Sequence, residues 1–168
     1  IGHPGRSIVT TIGVAIAAFC IHAGLIMSDS LNALLKDGLT SSVKYEYLYR
    51  LNSLHEDTPE KGEALFQNYY EVEGSTVQLS AQGIDENSRY FPDQTENGNK
   101  LDLDKYYLTS AAAQTYGVKT GEKFTFYNIA DLKKHKVTIS GVVEDNTHCY
   151  LYTSRKNAAN LADVSDQA

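Results

Sequence analysis

SIVTTIGVAIAAFCIHAGLIMSDSL, residues 7–31, is a long uncharged apolar run in a chain that is otherwise polar. The whole chain has a net charge of −6 and a mean hydropathy of −0.36. From Ile8 to Met27 there is no Asp, Glu, Lys or Arg, and only His22 titrates. About 20 apolar residues is the length a helix needs to cross a hydrocarbon core. Three readings compete: a membrane span, a secretory signal, and a buried helix of a globular fold. A secretory signal has a shorter apolar core and a small-x-small cleavage site. This run instead flows into SDSLNALLKDGL, with leucines at 31, 34 and 35 continuing at helical spacing. A core helix shows polar residues along one face, and here there are only Thr, Ser and His.

The expectation is therefore a transmembrane helix over 8–27, emerging into a stalk helix near 28–37. Arg6 and His3 precede the run while Asp29 and Asp37 follow it. The positive-inside rule then puts Ile1 in the cytoplasm and residues after about 30 outside. Thr10, Thr11, Gly13, Ala15, Ala17 and Ala18 make one end of the span small and slightly polar. Small residues let helices approach closely in lipid, so Thr11, Gly13 and Ala17 are candidate packing positions against other membrane helices. His22 is either an intramembrane relay or ligand group or a neutral hydrogen-bonded ring near the outer interface.

The bulk numbers set the class. A chain of 168 residues holds one ordinary domain with a real core. Its hydrophobic content of 42% and charged content of 21% are those of a folded protein. An acidic balance, with Lys and Arg scattered, argues against nucleic acid, which needs a basic face to displace counterions. Cys20 and Cys149 make no disulfide framework. The chain begins at Ile1 rather than Met, and it reads as a fragment in two parts: a membrane helix with stalk over 1–38, then an extracytoplasmic domain over 39–168.

In the outer part, VKYEYLYRL (43–51) alternates with Val43, Tyr45, Tyr47, Tyr49 and Leu51 on one face, which predicts a half-buried strand. In TPEKGEALFQNYY, Thr58 as N-cap and Pro59 at the first helical position predict a short helix. STVQLSAQGI predicts a strand with Val77, Leu79 and Ala81 inward, and 85–101 is turn-rich and reads as a surface loop. Tyr106 to Leu108 read as extended, Ser110 as the cap of a helix through Tyr116, and Gly117 as its left-handed C-terminal cap. Strands follow at Phe124 and Phe126 and at HKVTISGVVED, with Val137, Ile139 and Val143 on one face. CYLYTS reads as extended, and a last helix is capped by Ser154. Strands mixed with short helices indicate an α+β domain with a mixed or antiparallel sheet.

Few residues suggest chemistry. TIGVAIA and VKTGEK lack the spacing of a phosphate-binding glycine loop, and there is no H-E-x-x-H or paired C-x-x-C. EDNTHC (144–149) is the densest cluster of candidate groups. A Cys149 nucleophile beside His148 is one reading, but neighbours on a strand point to opposite faces, so the partner would be His3, His55 or His135. The plainer reading is a polar turn. Asp102 and Asp104 in LDLDKY share a strand face that suits a cation or simply solvent. The 12 tyrosines, with 5 Phe and no Trp, serve packing or a binding face for sugars or protein.

Two stretches resemble a known family. RSIVTTIGVAIAAFCIHAGLIMSDSLNAL resembles the first transmembrane helix of bacterial FtsX/MacB-like ABC transporter permeases, where an Arg before the span is followed by Thr-x-x-Gly-hydrophobic. LTSAAAQTYGVKTGEKFTFYN and KVTISGVVEDNTHCYLYTSRKNAANL resemble the end of that family's extracytoplasmic domain. The match runs through Gly117-Val118-Lys119-Thr120-Gly121 and departs at Glu122, where Asp is usual. The resemblance implies a non-enzymatic permease in a bacterial cell membrane, with no cofactor of its own. ATP is then bound by a separate ABC ATPase subunit, and the permease pairs with a second copy or paralogue. Its outer domain engages a substrate, a peptide, a lipoprotein or a cell-wall hydrolase. Two other expectations stand beside it: a single-span anchored sensor or binding module, and an anchored hydrolase using His148 and Cys149.

Overall fold

A computed structural model of the chain describes residues 4–40, 44–45, 47–50 and 62–164. The apolar run forms α1, Pro4–Thr40, one helix of 37 residues, so the expected span and stalk are a single uninterrupted element. Within it Ile8–Ala33 spans 26 residues at a mean hydropathy of 2.1, and none of its hydrophobic window is buried. The buried-helix reading fails on that observation. α1 and the remainder form separate compact units, Ile1–Leu39 and Thr40–Ala168.

The second unit is a six-stranded closed barrel with two short helices, so the fold is α+β with a mixed sheet. Its strands are β1 (Phe66–Glu71), β2 (Leu79–Ile84), β3 (Tyr106–Thr109), β4 (Lys123–Asn128), β5 (Lys134–Val143) and β6 (Tyr150–Ser154). The order around the barrel is β1-β2-β6-β3-β5-β4. β2 with β6 and β3 with β5 run parallel, and the other pairs run antiparallel. The closing seam is short: Tyr70 pairs with Asn128 and Glu71 with Tyr127. The helices are α2 (Ser110–Tyr116) and α3 (Arg155–Leu161).

Alternation across the strands sorts the core. On the β3–β6 ribbon Leu108 faces Leu151 and Tyr107 faces Tyr152; successive pairs project to opposite sides. The leucines join a cluster with Tyr70, Leu79, Phe124, Phe126 and Ile139, and the tyrosines join Ile84, Phe91, Leu103 and Val143. Val137, Ile139 and Val143 are buried along β5 at the expected period of two. Leu79 and Ala81 are fully buried, whereas Val77 precedes β2 and is 44% exposed.

Three expectations change. Phe66–Glu71 is a strand, not part of a helix, because its aromatic residues pair on one side with β2 and at their end with β4; Thr58 and Pro59 lie outside the described residues. Lys44, Tyr45 and residues 47–50 form no strand, and the rest of that expected strand lies outside the described residues. A closed barrel has no sheet edge to receive another strand; the segment instead makes one backbone bond, from the Lys44 amide to the Tyr90 carbonyl at 3.0 Å. The N-cap of α2 is Thr109, one residue earlier than Ser110. Gly117 is the left-handed cap at φ 65°, and Ser154 caps α3 by accepting from the Asn157 amide at 3.3 Å.

α3 lies tightly on β2 at Gly83. A Cβ there would stand 2.7 Å from Ala158 Cβ and 2.9 Å from Arg155 Cα, and backbone atoms cannot yield to it. Gly83→Ala is expected to destabilise the barrel by about 1–3 kcal/mol. Urea unfolding followed by the tyrosine near-ultraviolet circular dichroism measures it, and unchanged stability would exclude this packing.

Candidate functional site

Along α1 the apolar side chains occupy every direction: Ile8, Val9, Ile12, Val14, Ile16, Phe19, Ile21 and Leu25 are all more than half exposed. A helix that is apolar all round belongs in a core or a membrane, and this one has no core around it. Of the candidate packing positions, Gly13 and Ala17 are four residues apart and share a face, while Thr11 is turned about 200° from Gly13 at 3.6 residues per turn. Gly13 has nothing within 4 Å of its virtual Cβ. The His22 ring bonds within the helix, its Nδ1 lying 2.8 Å from the Ala18 carbonyl oxygen.

Residues 145–150 form the polar turn that leads into β6. Asp145, 3% exposed, accepts from the Thr147 amide at 2.9 Å, the Thr147 hydroxyl at 2.8 Å and the His148 amide at 3.1 Å. Its Oδ2 is 3.1 Å from His148 Nδ1. Burial works to raise the Asp145 carboxyl, yet these donors and the His148 ring together hold it below 3.8. The His148 ring stacks on Tyr150, with centroids 5.0 Å apart, and burial pushes the Tyr150 hydroxyl up to about 12. Behind them Tyr152 is fully buried, its hydroxyl without a hydrogen-bond partner among the described residues. Cys149 turns away toward α2, where its Sγ is 3.8 Å from Thr115 Oγ1. His148 and Cys149 therefore have different neighbours, and the turn does not bring them together as base and nucleophile. Thr109 ties this turn to the barrel: its hydroxyl donates to the His148 carbonyl and accepts from the amides of Ala112 and Tyr150.

A second polar region lies where β3, β5 and the end of α3 meet. An open groove of about 560 Å³ is lined by Asp104, Lys105, Tyr106, Lys134, His135 and Lys136, with Thr138 and Ser140 beyond. His135 is the expected partner histidine that the structure describes; it packs against Tyr70 and Phe126 rather than near Cys149. His3 and His55 lie outside the described residues. Burial, then the Lys133 charge, lowers the His135 pKa from 6.5, against Asp163 and Asp131. Among the described residues its shielded Nε2 and the Tyr70 hydroxyl have no hydrogen-bond partner that meets bonding geometry, and Asn68 is the nearest polar side chain acting on Tyr70. Buried groups without a partner cost about 1–3 kcal/mol each, and both lie on the inner side of β5 with the core rather than on its outer face. Nearby, Lys133 and Asp163 form an ion pair that joins the β4–β5 loop to the end of α3.

Asp102 and Asp104 lie in a turn before β3, not on a strand face. Asp102 accepts the Asp104 amide at 3.3 Å and pairs with Lys105 at 2.8 Å; that local closure is why the aspartates do not align along a strand. No group of three metal-ligating side chains occurs among the described residues. The groove went unread in the sequence because its residues come from three separated segments. The nearest signal was the run Lys133-Lys134-His135-Lys136. Compared with protein-family models and with curated proteins, the chain matches none.

Asp145→Ala leaves the Thr147 and His148 donors unanswered and is expected to cost about 1–3 kcal/mol at pH 7. The Asp145 pKa is depressed on folding, so its stabilisation is complete above the unfolded value and is lost as pH falls through the folded one. Denaturant curves of wild type and variant should converge in acid, below pH 3.8; a gap that stays constant with pH would show that the carboxylate charge is not what the turn uses.

Proposed function

We propose that the chain is part of an FtsX/MacB-like ABC transporter permease, with α1 as a transmembrane helix in a bacterial cell membrane and the barrel on the extracytoplasmic side. One observation supports this above the others. Ile8–Ala33 is long and apolar enough to cross a bilayer, and it gains no cover from the chain itself. Apolar surface of that extent is stable only when removed from water. The resembling segment Gly117–Gly121 builds the α2 cap and a tight turn, with φ of 65° and 88° at its two glycines, and so leads into β4. Its role is architectural, which suits a subunit that transmits motion rather than breaks bonds. ATP hydrolysis belongs to a separate subunit in this reading, and the barrel grips a peptide, lipoprotein, cell-wall hydrolase or other substrate.

The test uses the full-length protein in bacterial cells. It is expected in the carbonate-washed membrane pellet, with an intact mass that retains residues 8–33. A cysteine placed at exposed Asp131 in a Cys20→Ser, Cys149→Ser background should react with an impermeant maleimide on unbroken cells. A soluble product, or one cleaved after the apolar run, excludes the span; labelling only after lysis reverses the orientation. Co-purification of an ATPase separates the permease from a single-span sensor.

A further inference from the structure

We propose that the groove between β3, β5 and the end of α3 binds the phosphate ester of a polyol. Its volume of about 560 Å³ suits a small ligand, for which sites of roughly 300–1,000 Å³ are usual. Lys134 and Lys136 are exposed and two residues apart on β5, so both ammonium groups stand on one face of the strand. Thr138 and Ser140 extend that face with hydroxyls. Among the described residues no carboxylate pairs with Lys134 or Lys136, although Lys134 also leans over the Tyr127 ring at 5.7 Å. In a chain of net charge −6, two uncompensated lysines beside two hydroxyls select an anion with several oxygens.

Asp104 narrows the choice. It lines the same groove, and a carboxylate there repels a bare anion but accepts hydrogen bonds from hydroxyls. A neutral sugar would leave the lysines unanswered, and inorganic phosphate would leave Asp104 so. A phosphate with free hydroxyls on its alcohol answers both. His135 lies between the two lysines on β5 with its ring turned inward onto Tyr70 and Phe126, so it reports on the groove without reaching into it. This assignment rests on the barrel alone and stands apart from the membrane reading. Glycerol phosphate is the simplest such ester, and it occurs both free and as a phosphatidylglycerol headgroup.

The full chain in a neutral detergent is titrated with glycerol 3-phosphate, and in parallel the chain is placed in phosphatidylcholine nanodiscs with and without phosphatidylglycerol. The His135 ring resonance follows occupancy in both arms. The Lys134→Gln, Lys136→Gln double variant is expected to weaken binding roughly tenfold, the sum of two partly screened charge contacts, while Lys119→Gln on the α2–β4 turn leaves it unchanged. These lysines are exposed, and circular dichroism checks that each variant is folded. A saturable shift with glycerol 3-phosphate assigns the site to the free ester; a shift only with phosphatidylglycerol, lost in the double variant, assigns it to the headgroup. No His135 shift in either arm, or equal binding by the double variant, overturns the site. Inorganic phosphate binding as tightly as the ester overturns the role of Asp104.

Discussion

Pairing of β1 on both of its edges is the constraint on which the second unit depends. It meets β2 through five residue pairs from Phe66 to Tyr70 and meets β4 at Tyr70 and Glu71. That last contact turns an open sheet into a barrel, and a closed barrel satisfies its backbone groups without borrowing from another element. The hydrophobic interior follows from closure. Tyr70, at the seam, packs edge-on to Phe126 at 5.0 Å, so the residue that closes the sheet also fills it.

Closure has a consequence for the rest of the chain. Because the barrel encloses its own core, it has no need of the apolar surface of α1, and the exposed residues from Ile8 to Ala33 must find their cover elsewhere. A soluble domain would fold such a helix against its sheet. The chain divides into two compact units, and the first carries a helix long and apolar enough for a membrane anchor or a signal sequence.

Polar groups inside and around the barrel divide into two kinds. At the Asp145 turn the bonding is local: the Thr109 hydroxyl donates to the His148 carbonyl and the Ser110 hydroxyl to the Val143 carbonyl, while the Asp145 carboxylate accepts from the Thr147 amide and hydroxyl. That arrangement is structural, and it occupies His148 with Asp145 and Tyr150. Along the outer face of β5, Lys134 and Lys136 have no carboxylate partner among the described residues.

The amino-acid sequence alone determined the elements whose signals are local. α1 is legible because twenty uncharged residues in a row leave few alternatives, β3 to β6 are legible as short runs rich in β-branched and aromatic residues between turn residues, and β2 only through the placing of Leu79 and Ala81 inward. Gly117 and Ser154 mark their caps because side-chain and backbone geometry at a helix end depends only on neighbours. What only the tertiary structure decided depends on distant partners. Phe66–Glu71 became a strand because β2 and β4 were there to pair with it, and the described part of the expected 43–51 strand, residues 44–45 and 47–50, is not extended into the sheet. The Asp102 turn, the separation of Cys149 from His148, and the groove drawn from residues 104–106, 134–140 and 161 were likewise invisible in one dimension. Pairing energy and burial are properties of which segments meet, and the linear order of residues does not contain that choice.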